Sequence, residues 1–281
     1  MTVLGKTFRV VVKGGGDLAS GVAWRLWNSG FQVVITEVAQ PTAIRRAVSF
    51  AEAVWEGEAV VEGVRARRVS GAAEAEAAWT QGILPIVVDP SARIVAQLPA
   101  DIVVDAILAK QNLGTRMTDA PIVIALGPGF TAGVDAHAVI ETMRGHWLGR
   151  VIWDGQALPN TGIPAEMGGH GERRVIRAHR AGAFRGVRAI GDFVEEGETV
   201  AEIDGEPVPA RLSGVLRGLL HDGLSVHPGM KVGDVDPRGE REHCFTISDK
   251  ALAIAGGVLE AILGCMEKDT TKSRSHQETQ S

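Results

Sequence analysis

Two glycine-rich turns, and the histidines, carboxylates and lysines around them, hold the chemistry this sequence can perform. The first turn, Lys13-Gly14-Gly15-Gly16-Asp17-Leu18-Ala19, follows three consecutive valines. Gly14, Gly16 and Ala19 fit the spacing GxGxxA. In that pattern the first glycine permits a tight turn, the second lets a pyrophosphate approach, and the small third residue lets helix pack on strand. Backbone N–H groups gathered at a helix start favour an anion. A second apolar run, Phe31 to Ile35, is followed by Glu37, about 20 residues beyond the turn, where an acidic side chain accepts from a ribose hydroxyl. The pattern predicts a nucleotide site with Gly14, Gly16, Asp17, Leu18, Ala19 and Glu37 as cofactor contacts. NAD(H) or another nucleotide-bearing cofactor is its expected ligand. The competing reading is that the glycines only pack helix against sheet.

The second turn, Gly127-Pro128-Gly129 through Gly133, closes another buried strand and predicts a further anion-binding nest, with Gly127 and Gly129 in contact with the ligand. Beyond it, Asp135 and His137 stand at alternate positions of an expected strand, with Glu141 on the same face and Arg144 and His146 around the next turn. Carboxylates beside histidines suit proton transfer or a metal. With no HExxH or comparable motif to fix a geometry, no metal is assigned. Lys13, Lys110 and Asn112 lie where strands end and are candidates for a phosphate or carboxylate. Arg45 and Arg46 either meet a phosphate or are solvated. GxSxG and GxxxxGK[ST] are both absent, which removes serine-hydrolase and P-loop chemistry.

The elements that must position these residues alternate strand and helix over residues 1–118, with a hairpin of Glu58-Ala59-Val60-Val61 against Val64-Arg65-Ala66-Arg67 and helices over 43–54 and 72–81. This predicts a Rossmann-like, nucleotide-binding parallel sheet. Residues 119–172 read as a β-rich connecting segment: strands over 134–142 and 146–153, then a long loop marked by Pro159, Pro164 and Gly168-Gly169. Residues 173–240 carry an internal repeat, GxxVxxGxxV, at Gly191, Val194, Gly197, Val200 and again 32 residues later at Gly223, Val226, Gly229, Val232. The repeat resembles the biotinyl/lipoyl barrel family. The carrier hairpin would fall near 204–209, where no lysine occurs, so a barrel-sandwich module without biotin or lipoate is expected. A terminal strand and helix over 241–265 should pack back on the core, and a polar tail, 266–281, should be disordered.

With 45% hydrophobic and 22% charged residues, the 281-residue chain is globular in composition, and its net charge of -5 gives no reason to expect nucleic acid. No apolar run suits a membrane and no leader is visible, so a cytoplasmic protein is expected. The two cysteines, Cys244 and Cys265, lack CxxC spacing.

Three long stretches support a resemblance: Val12-Lys13-Gly-Gly-Gly16-Asp17 to Gly21, Ala109-Lys110-Gln-Asn112-Leu-Gly114-Thr115, and Leu126 through Thr142. The chain resembles the YqeB-like accessory proteins of selenium-dependent molybdenum hydroxylases, from about residue 8 to 264. Arg144-Gly-His146-Trp-Leu-Gly-Arg150, Gly233-Asp234-Val-Asp236-Pro-Arg238 and Thr246-Ile-Ser-Asp249 extend the match. The resemblance implies a maturation factor that supplies selenium or modifies the molybdenum cofactor. Its partner would be the hydroxylase or its maturation machinery. The selenium link makes Cys244 a candidate chalcogen-handling thiol, given a low pKa. Two other functions fit the residues: an NAD-dependent oxidoreductase acting on a small metabolite, and a plain scaffold. An exposed barrel face would serve self-association as readily as client docking.

Overall fold

The computed structural model describes residues 2–3, 6–162, 166 and 168–278. Pro164 of the expected loop and the last three residues of the expected tail lie outside them.

Nine strands form one sheet: β1 (Arg9–Lys13), β2 (Gln32–Glu37), β3 (Glu58–Val61), β4 (Val64–Val69), β5 (Leu84–Val88), β6 (Ile102–Asp105), β7 (Ile122–Leu126), β8 (Ala138–Ile140) and β9 (Val151–Ile152). Their order is β9-β8-β7-β6-β1-β2-β5-β4-β3. The pairs at the two edges, β8 with β9 and β3 with β4, are antiparallel. The six pairings between them are parallel. Alternating residues feed two cores. Val10 and Val12 face α1 (Asp17–Asn28). Val11 faces the side closed by α3 (Ala72–Thr80) and the short α4 (Ile94–Gln97). The β3–β4 hairpin turns at Glu62-Gly63, both left-handed at φ 42° and 81°, a geometry that matches the twist of the strands it joins.

The helix expected over 43–54 is a 3-10 turn at Arg46–Val48 followed by the five-residue α2 (Glu52–Glu56). Two arginine side chains pin the segment to distant carbonyls. Arg45 donates to His243 O and Thr246 O, and Arg46 donates to Leu219 O.

Residues 173–240 build two open, four-stranded antiparallel sheets over one core. Their strands are β10 (Val175–Arg177), β11 (Gly182–Gly186), β12 (Phe193–Val194), β13 (Thr199–Ile203), β14 (Glu206–Pro209), β15 (Gly214–Leu219), β16 (Ser225–Val226) and β17 (Lys231–Asp236), ordered β10-β17-β15-β12 and β14-β13-β11-β16. All four repeat valines are buried and all four repeat glycines have positive φ. Each copy of the repeat crosses between the sheets, the first from β12 to β13 and the second from β16 to β17.

The final helix, α5, spans Asp249–Glu278 and so runs through most of the expected tail. No glycine or proline stands between Met266 and Glu278 to stop it. Ala251, Ile254, Val258 and Ile262 are buried against α1 and the β7–β9 side of the sheet. A Cβ on Gly21 would come within 2.8 Å of the Ala251 Cβ, so α1 and α5 cross in close contact.

The expected fold class, a Rossmann-like parallel sheet with a barrel module, is therefore corrected. The large sheet is mixed and continues through 119–152. The links from β6 to β7 and from β7 to β8 contain no α-helix, and α5 covers that face in place of crossover helices. The C-terminal strands form two open sheets instead of a closed barrel.

Candidate functional site

The first glycine turn is stitched to its surroundings. Gly14 has φ +94°, and a Cβ there would sit 3.1 Å from Ala106 O. The Gly15 N–H donates to Glu37 Oε1 at 3.0 Å, and the Val38 N–H donates to Oε2 at 2.5 Å. Burial raises the Glu37 pKa, opposed by those two backbone hydrogen bonds. Ser20 and Ser49 both donate to Gly15 O, at 2.9 and 2.8 Å. Ala19 is buried and Leu18 half-buried, whereas a Cβ on Gly16, the residue capping α1, would meet nothing within 4 Å. Glu37 thus shapes the turn, and the open side of the turn lies at Gly16 and Asp17.

Most of the polar candidates brace loops. Lys13 Nζ donates to Thr115 Oγ1, which donates to Asp105 Oδ2 at 2.5 Å, with Lys13 Nζ 3.6 Å from the same carboxylate. Asn112 accepts from the Gly114 and Thr115 N–H groups at 2.8 Å each, and its Nδ2 donates to Asp135 Oδ1 at 3.2 Å. Asp135 Oδ2 accepts from the Thr131 N–H at 2.7 Å. His137 Nδ1 accepts from the Val123 N–H at 3.0 Å. Glu141 is buried and accepts from the Met143 and Leu158 N–H groups at 2.7 and 2.8 Å. β8 starts only at Ala138, so the alternation that would align Asp135, His137 and Glu141 does not arise and the three serve separate loops. His146 is exposed, edge-on to Trp147 at 4.8 Å.

Gly127 and Gly129 are packing positions: a Cβ on either would fall 2.5 Å from Thr142 Oγ1 or 2.6 Å from the Gln111 Cα. Residues 241–244 are a 3-10 turn where a strand was expected. It buries Cys244 completely, with Sγ 3.8 Å from Leu216 O. Burial raises that thiol's pKa, the reverse of what a chalcogen-handling nucleophile requires.

What the chain does build is a cationic cleft of about 950 Å³ between the large sheet and the sandwich. The start of α1 contributes Asp17 and Leu18, the strand-end loops Lys110, Pro128 and Arg144, the sandwich Arg174, Arg177, Arg217 and Lys231, and the start of α5 Ser248 and Lys250. With Arg45, eight cationic side chains face three carboxylates, Asp17, Glu166 and Asp234. Much of this charge is paired: Arg45 with Asp17 at 3.6 Å, Arg174 with Asp234, Lys231 with Asp234 at 3.8 Å, and Arg144 with Asp249 at 2.9 Å. Lys110 and Lys250 differ, since among the described residues neither ammonium has a carboxylate within ion-pair distance. Desolvation lowers the pKa of both. At Lys250 the charges of Lys110 and Arg144 lower it further, opposed by the carboxylates of Asp17 and Glu141. Lys110 is also set in a left-handed backbone conformation, φ 65°, uncommon for a residue with a side chain.

The sequence reading found Lys110 and Arg144 but missed Lys250 and the sandwich cations. The missed signal at Lys250 was a lysine in a helix's first turn, where the dipole disfavours a cation. The sandwich cations, spread over a 3-10 turn and three β-strands, gave no motif.

No family model matches the chain. It is 54% identical over 259 residues to "Uncharacterized protein YqeB" of Escherichia coli (strain K12), an alignment covering 92% of this chain and 48% of that protein. The chain is YqeB-like, and it spans about half the length of the curated relative it matches. An aspartoacylase family protein from Mesorhizobium loti aligns with 82% of this chain and 85% of its own, at 12% identity and a TM-score of 0.26. A succinylglutamate desuccinylase from Silicibacter sp. TM1040 aligns with 82% and 84%, at 14% identity and a TM-score of 0.24. Likeness of that degree carries no argument about this fold or its function.

Proposed function

We propose that this YqeB-like chain binds a phosphate-bearing small molecule, of nucleotide or dinucleotide type, in the cleft at the start of α1, and that it does so as an accessory protein in maturing a selenium-dependent molybdenum hydroxylase. The observation that carries the binding step is the pair of unpartnered, partly desolvated lysines, Lys110 and Lys250, in a cleft with eight cations to three carboxylates. Two ammonium groups that repel each other, with no carboxylate in contact, are stabilised by an anion between them. The open end of α1 adds the positive pole of a twelve-residue helix on the same side. The maturation role rests on the motif resemblance.

The oxidoreductase reading has less support. Glu37 already accepts two backbone N–H groups, and Asp135, His137 and Glu141 form no acid–base pair in the cleft.

Calorimetry on the full chain with AMP, NAD+ and inorganic phosphate tests the binding step. Lys250→Ala and Lys110→Ala should each weaken the best binder by about tenfold, equivalent to ~1.4 kcal/mol. Absence of binding by every probe, or affinities unchanged in both variants, overturns it. The maturation role fails if pull-down recovers no hydroxylase and a deletion strain keeps the enzyme's selenium content.

A further inference from the structure

Away from the cleft, two glutamates and a histidine meet where the sheet edge approaches the sandwich. Glu52 and Glu56 stand one turn apart on α2, and His221 lies in the connection between β15 and β16. One ligand atom from each lies within 4.8 Å of the others. The imidazole is fixed in orientation: it stacks on Trp55 at 4.3 Å and 11°, and its Nδ1 is 2.9 Å from Asp222 O. A carbonyl oxygen only accepts, so Nδ1 carries the proton and donates. In the neutral ring, Nε2 then presents a lone pair, and it points at Glu56 Oε1 from 3.5 Å. Two acceptors then face each other, an arrangement that a cation between them, a proton or a metal ion, would stabilise.

We propose that Glu52, Glu56 and His221 form a binding site for a divalent transition-metal cation, with zinc the best match to one imidazole nitrogen and two carboxylates. Bonds of about 2.0–2.2 Å around tetrahedral zinc set its donors roughly 3.3 Å apart, close to the Nε2–Oε1 separation already present. The Nδ1–H to carbonyl hydrogen bond is the outer contact that orients a ligating histidine. Arg46 occupies Glu52 Oε1 at 2.6 Å, which steadies the side chain and leaves its second oxygen for the metal. Glu56 is largely exposed, which gives ions an entry path and leaves room for water in a further position. A bound ion would tie α2 to the β15–β16 connection, clamping the sandwich to the large sheet. The site shares no residue with the lining of the cationic cleft and is independent of what that cleft binds.

The test is titration of the chelator-stripped full chain with zinc chloride, by calorimetry and by competition with a chromogenic chelator. One equivalent should bind, and the melting temperature should rise with zinc concentration, as for any ligand of the folded state. His221→Ala and Glu56→Gln should each weaken binding at least roughly tenfold, while His227→Ala, at a histidine with no carboxylate within ion-pair distance among the described residues, should leave it unchanged. Glu56→Gln, at an exposed position, keeps the test usable if the His221 variant fails to fold. The proposal is overturned by no zinc binding up to about millimolar concentration, or by binding that persists in both His221→Ala and Glu56→Gln. It falls equally if nitrogen NMR finds His221 doubly protonated at neutral pH in zinc-free and zinc-saturating solutions alike, because a proton then supplies the bridging charge.

Discussion

Arg144 forms a two-point ion pair with Asp249 across 105 residues of sequence, Nη1 2.9 Å from Oδ2 and Nη2 3.1 Å from Oδ1. It fastens the loop after β8 to the first turn of α5. The guanidinium is the main cause that brings the Asp249 pKa down from 3.8 to about 2. A depressed carboxylate pKa contributes stability that is complete above the unfolded value and disappears as pH falls through the folded one. Arg144→Ala should return the Asp249 pKa, followed by carbon NMR, towards its ordinary range. The variant should melt slightly lower at pH 7, and the difference should vanish below about pH 2. Because the aspartate is mostly solvated, the stability difference should be at most about 1 kcal/mol. An unmoved Asp249 titration would refute the assignment.

If the cleft binds an anion as proposed, alkaline pH should release it early. Desolvation lowers the pKa of Lys110 and Lys250, so each is charged below its lowered value and neutral above it. Affinity for a phosphate probe should decline at a lower pH than a solvated lysine, near 10.4, would allow. The same affinity should fall as salt rises from low to physiological strength. Calorimetry across pH and sodium chloride checks both trends, and a flat profile in either would count against a lysine-dominated site.

Gly16 and Gly129 should respond very differently to alanine. At Gly129, φ is +105° and a Cβ would lie 2.6 Å from the Gln111 Cα, so Gly129→Ala should destabilise the fold by about 2 kcal/mol or more. At Gly16, φ is -63° and no atom is near, so Gly16→Ala should leave the melting temperature almost unchanged. Thermal denaturation of the two variants side by side decides it.

Cys244 should be silent towards thiol reagents in the native protein. Burial both raises its pKa and blocks access, and it should react with dithionitrobenzoate only after denaturation. Stoichiometric labelling of Cys244 in the folded chain would restore the thiol as a candidate for chalcogen chemistry.

Thr115→Val should expose how far the loop after β6 depends on one hydroxyl. That hydroxyl receives from Lys13 and donates to Asp105, all three side chains being buried. Removing it leaves a buried ammonium and carboxylate without their bridge, at a cost of about 1–3 kcal/mol. Chemical denaturation should show the loss.

Legibility from sequence followed the range of the interactions. Val10 to Val12 and the β3–β4 hairpin were readable because alternation and a Glu62-Gly63 turn are local signals. The segment from Ala43 to Val54 misled because Ile44, Val48 and Ala51 mimic a helical stripe, whereas Arg45 and Arg46 are claimed by carbonyls about 170 to 200 residues away. Asp135, His137 and Glu141 misled for a related reason: their alternation was real in the sequence, but the strand begins after the first two. The cationic cleft was illegible as a unit. Its charges come from the strand-end loops, the sandwich and α5, and no spacing connects Lys110 to Arg217 or Lys250.

The position of α5 also governs when the protein can fold. During synthesis the apolar face of β7 and β8, with Ile124, Leu126 and Ile140, leaves the ribosome roughly a hundred residues before the helix that covers it. In the nascent chain that surface stays without its covering helix through translation of the whole sandwich, and contacts of such long sequence range are the kind that slow folding. Stop codons placed between the sandwich and α5 should yield inclusion bodies or chaperone-bound material in place of a smaller stable domain.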